Sequence, residues 1–123
     1  MIARRMFLAG AAAALPALAW AHHGWLSWDH DNPIAIEGWI SKEMDGYPHW
    51  EIDVRVDGED WAVDVGDDIQ LRKAGLRPDG SDFRLNRRIR VEGVRLKDKS
   101  TLRMLPRRVI LDGDKEYPLV VRE

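Results

Sequence analysis

Alternation of apolar and polar residues organises most of the chain. Between Ile34 and Ile40, the residues Ile34, Ile36, Gly38 and Ile40 alternate with Ala35, Glu37 and Trp39, the period of a half-buried strand. The segment from Glu43 to Tyr47, with Asp45-Gly46 inside it, then supplies a turn. A second strand follows, in which Trp50, Ile52, Val54 and Val56 point one way and Glu51, Asp53, Arg55 and Asp57 the other. Asp57-Gly58 is a hairpin signal, and Trp61, Val63 and Val65 carry the alternation onto a third strand. On this pattern Trp50 and Trp61 fall in the core.

The period changes at Asp67. Asp67 or Asp68 can cap a helix of about two turns that stops at Gly75. A loop through Pro78 and Asp79-Gly80 leads to a fourth strand containing Ile89 and Val91, with Gly93 available for the bend that barrel closure requires. Val109 and Leu111 mark a fifth strand ending at Asp112-Gly113, and Leu119 with Val121 suggest a short last one. Three meandering strands, one short helix and two or three further strands predict a mainly β domain, a small five- to six-stranded OB-fold-like barrel over residues 34–123. A small β-sandwich is the alternative, but it has no natural place for a helix between strands three and four.

The first 21 residues follow another pattern. Arg4 and Arg5 precede Met6-Phe7-Leu8 and an alanine-rich apolar run to Leu18, which ends in Ala19-Trp20-Ala21. This order fits a signal peptide of the twin-arginine type, with Arg4 and Arg5 read by the translocation receptor and cleavage after Ala21. The run is too short to span a bilayer, so no membrane anchor is expected after cleavage. The expected product is periplasmic, begins at His22, and carries an N-terminal arm over residues 22–33.

Composition narrows the function. Losing Arg4 and Arg5 leaves 17 basic residues against 21 acidic ones, a formal charge of −4 that argues against a nucleic-acid partner. Charge is also segregated. Thirteen acidic residues lie between Asp29 and Asp68, and ten basic residues lie between Arg84 and Arg108. The expectation is that the two halves neutralise each other through cross-strand pairs. The absence of cysteine leaves imidazole, carboxylate and amine as the available metal ligands.

Four histidines supply the candidate chemistry. After cleavage, His22 would offer an imidazole and a free α-amine, which together form a chelate suited to tetragonal Cu(II), with zinc or nickel as alternatives. His23 adds a second imidazole. His49, after Pro48 at the start of the second strand, is a candidate third ligand that a folded-back N-terminus could meet. His30, flanked by Asp29 and Asp31, is a further candidate ligand.

The run His22-His23-Gly24-Trp25, then Asp29, Gly38 and Pro48-His49, resembles an uncharacterised family of small exported bacterial proteins. The likeness extends over nearly the whole mature chain, through Trp61, Arg72 to Gly75, Gly93 and Ile110 to Gly113. Tyr47 stands where that family usually has asparagine, and Lys97-Asp98-Lys99-Ser100 where glycine is more usual. The resemblance implies export and a domain without an assigned activity.

Tryptophan gives a second line of thought. Trp25, Trp28 and Trp39 fall in the arm or on the wet parity of the first strand, where they can form an aromatic surface for a protein partner in the envelope or for a small ligand. Alternatively the arm packs over the barrel, with Trp39 beneath it near His49. Neither a Gly-x-Ser-x-Gly elbow, a phosphate-binding glycine loop, a cysteine nucleophile nor a His-Glu-x-x-His helix occurs, so a non-enzymatic role is expected.

Overall fold

Residues 24–122 are described by the structure, a computed structural model. β1 (Ile34–Asp45), β2 (Trp50–Val56) and β3 (Glu59–Gly66) form an antiparallel meander. The β2–β3 turn places Asp57 and Gly58 at φ 51° and 80°, the left-handed pair that a tight hairpin needs. α1 (Asp68–Ala74) follows, capped as its sequence dictates. The Asp67 carboxylate accepts from the Gln70 amide nitrogen, the Gln70 side chain accepts from the Asp67 amide, and Gly75 closes the helix at φ 87°.

β4 (Arg88–Arg95) returns to pair with the first half of β1, while β2 pairs with the second half. Gly38 sits where β1 passes from one neighbour to the other, and a Cβ there would lie 1.9 Å from the Arg55 carbonyl oxygen. Only glycine lets the strands approach this closely. β5 (Arg103–Leu111) pairs antiparallel with β4 and meets β3 in parallel at Ala62–Arg103 and Val63–Met104. That seam closes five strands into an OB-fold-like barrel, and β6 (Lys115–Tyr117) adds to β5 outside it. Ile36, Ile40, Ile52, Val63, Ile89 and Val109 fill the interior, and Leu76 and Phe83, from the long α1–β4 connection, join them.

Two boundaries and the burial of two tryptophans differ from the alternation. β1 continues through Glu43 to Asp45, because Asp45 still pairs with Glu51 and Met44 still packs on the core; the turn is residues 46–49. Its outer residues Ser41, Lys42 and Glu43 carry no apolar signal. The last strand is Lys115–Tyr117, held by the hairpin at Asp112-Gly113, whereas Leu119 and Val121 are buried in irregular chain. Trp50 and Trp61 are only half-buried at the barrel rim, where the Trp50 Nε1–H donates to Asp68 at 2.8 Å and the Arg95 guanidinium lies 4.9 Å above the Trp61 ring.

Candidate functional site

The arm does pack on the barrel, but at the far end of β4 rather than on β2. A single 3₁₀ turn, Trp25–Ser27, leads to Trp28, which bridges to Leu96. The Asp29 amide donates to the Arg95 carbonyl at 2.9 Å, and the Lys97 amide donates to the Ser27 carbonyl at 2.9 Å. Trp28 is 1 % exposed and belongs to the core. It therefore presents no aromatic surface to a partner, because burying its large ring is what fastens the arm.

Trp25 remains 58 % exposed and stacks on His30, with ring centroids 3.6 Å apart and planes 19° from parallel. His30 Nε2 lies 2.9 Å from the Trp25 carbonyl oxygen. A carbonyl only accepts, so Nε2 carries the hydrogen and, in the neutral ring, Nδ1 keeps its lone pair. That Nδ1 is buried and has no hydrogen-bond partner among the described residues. The carboxylates flanking His30 turn elsewhere: Asp29 accepts from Asn32 at 3.0 Å and lies 4.0 Å from the Lys99 ammonium, and Asp31 is exposed.

His49 is exposed in the turn after the cis Tyr47-Pro48 bond, beyond the C-terminal end of β1, whereas His30 precedes its N-terminal end. The 12-residue strand separates them, at roughly 3.3 Å per residue along its path. His30 and His49 therefore do not converge on one ion, and the described part of the arm, residues 24–33, docks at the opposite end of β1 from His49. Trp39 is 54 % exposed on β1, so it does not lie beneath the arm. No group of three His, Asp or Glu suited to a metal comes together among the described residues. His22, His23, Arg4 and Arg5 lie outside those residues.

Charge segregation resolves as cross-strand pairing. Arg88 holds Glu37 across β4 and β1 at 2.6 Å, and Arg108 holds Glu92 across β5 and β4 at 2.7 Å. Arg103 reaches over the barrel seam to Asp64 on β3 and, at 3.0 Å, to Glu51 on β2. Next to this fork Asp53 holds no salt-bridge partner among the described residues, and burial pushes its carboxyl above the ordinary aspartate value despite Lys42 nearby.

Sequence reasoning missed a cleft between the arm and the C-terminal tail, with a cavity volume of about 450 Å³. Trp25 and His30 form one wall, and Arg107 and Arg122 stand on its other side. Gly93 reads in the sequence as a bend in the fourth strand, but its pairing with Pro106 across a register shift does not. No protein-family model matches this chain, and no curated protein matches it.

Proposed function

We propose that this is an exported barrel protein that binds a transition metal, copper by preference, at its N-terminus. The ligands in this reading are the α-amine and imidazole of His22, the imidazole of His23, and Nδ1 of His30. Cleavage after Ala21 creates the amine, and the periplasm is the compartment in which the protein handles or delivers its ion.

The observation that carries the reading is the orientation of His30. Its Nε2–H is spent on a backbone carbonyl, and its Nδ1 lone pair has no partner among the described residues. This is the arrangement by which proteins orient an imidazole for a metal, one nitrogen anchored and the other left as donor. Proximity adds to it. Trp25 lies on the His30 ring, and only Gly24 separates Trp25 from His23, a reach of at most roughly 7 Å for two residues. His30 thus replaces His49 as the third imidazole. The resemblance to exported proteins and the twin-arginine pattern support the location.

Calorimetric titration of the chain beginning at His22 with Cu(II) and Zn(II) tests this. Cu(II) is expected to bind at one site and more tightly than Zn(II). Equal binding by the His22→Ala, His23→Ala double variant contradicts the reading.

A further inference from the structure

We infer that the cleft between the arm and the C-terminal tail binds a small apolar molecule bearing one carboxylate, with Arg107 and Arg122 as its anion-recognising groups. The proposal does not rest on metal binding.

The cleft is built around a β-bulge. Glu92 pairs with Arg108 and Gly93 with Pro106, so one step along β4 faces two along β5 and Arg107 is the extra residue. A bulge re-aims the side chain it carries and recurs beside functional sites. This one depends on glycine opposite, since a Cβ on Gly93 would lie 2.2 Å from the Leu105 carbonyl oxygen. Pro106, which has no N–H, uses its carbonyl to accept from the Val121 amide at 3.1 Å. Burial of Leu119 and Val121 fixes the same tail, and Arg122 follows directly. Bulge and tail thus bring two guanidinium groups to one opening.

Arg107 is the exception among the strand arginines. Each of the other arginines on β2, β4 and β5 is engaged by a carboxylate or by backbone carbonyls. Arg107 and Arg122 are exposed and make no ion pair among the described residues. Between them and the arm lies apolar surface from Val94, Leu105, Pro106 and Val121, with the exposed indole of Trp25 as a wall. An apolar lining with a few convergent charged groups, in a volume of about 450 Å³, is the constitution of a small-molecule site. Two cations at its rim select an anion. Guanidinium forks match a carboxylate, and the apolar wall demands a hydrocarbon or aromatic body behind it.

Titration of the full chain with phenylacetate and hexanoate, in the presence of a chelator, tests this, with methyl NMR shifts of Val94, Leu105 and Val121 locating the site. The neutral amides phenylacetamide and hexanamide, and inorganic phosphate, serve as controls. The acids are expected to bind saturably and to shift those methyls, with affinity roughly tenfold above the amides and above phosphate. Arg107→Gln with Arg122→Gln should lower acid affinity to that of the amides, while thermal unfolding stays unchanged because both side chains are exposed. Equal binding of acid and amide overturns the proposal. So does phosphate binding as tight as acid binding, retention of acid affinity in the double variant, or the absence of saturable binding by either acid. Acid titration of the His22→Ala, His23→Ala variant separates this result from the metal reading: unchanged acid affinity is expected there, whatever that variant does to copper.

Discussion

Single residues here carry consequences out of proportion to their size, and Gly38 is the clearest. Its missing side chain lets β1 change partners over the Arg55 carbonyl. Gly38→Ala should therefore cost about 3 kcal/mol in urea unfolding, as overpacking against backbone does. Nothing in the alternation distinguishes Gly38 from an apolar position, because periodicity records which face a residue takes and not how closely another strand approaches it. Asp53 makes the opposite kind of prediction. Burial raises its carboxyl above the aspartate value of 3.8, so its ionised form is the disfavoured one in the fold. The native state then holds more protons than the unfolded chain through the window above 3.8, and stability falls as pH rises through it. Asp53→Asn should accordingly raise the melting temperature near neutral pH and leave it unchanged at pH below about 3, measured by calorimetry.

At the scale of elements, strands and helix were legible where packing follows local pattern. The capping box at Asp67 and Gln70, the stop at Gly75 and the Asp57-Gly58 hairpin all form from adjacent residues, and each reads directly from the chain. Long-range devices do not read this way. The parallel seam between β3 and β5 rests on two residue pairs, and Arg103 reinforces it by holding Asp64 and Glu51 from the neighbouring strands. Removing the cation takes the guanidinium from the partly buried Asp64 and leaves Glu51 with Lys42, so Arg103→Gln should destabilise by about 3 kcal/mol in equilibrium unfolding. The arm is a second such device. It has no strong propensity of its own, and its hold on the barrel comes from Trp28 in the core and two backbone bonds to the end of β4. Trp28→Ala should cost about 4 kcal/mol and release the arm, seen as rapid hydrogen exchange at the Asp29 and Lys97 amides.

For the whole molecule, the docked arm decides how the candidate ligands relate. In the sequence His49 ranked above His30 as a partner for His22 and His23, but β1 separates His49 from His30, and the arm keeps His30 against Trp25, two residues after His23 in the chain. That His30 and His49 lie apart was invisible in the sequence because it depends on where the arm docks, a matter of tertiary packing around one tryptophan. His30→Ala should lower copper affinity by about tenfold, with the fold retained because the ring is only partly buried. His49→Ala should leave the affinity unchanged. Both are read by competition titration against a chelator of known strength. The most direct test compares Cu(II) affinity of the chain beginning at His22 with that of the same chain retaining Ala21. One added residue leaves every side chain in place and removes only the α-amine from the chelate with the His22 imidazole. The account predicts a loss of roughly 10–100-fold on adding Ala21; equal affinity of the two chains contradicts it.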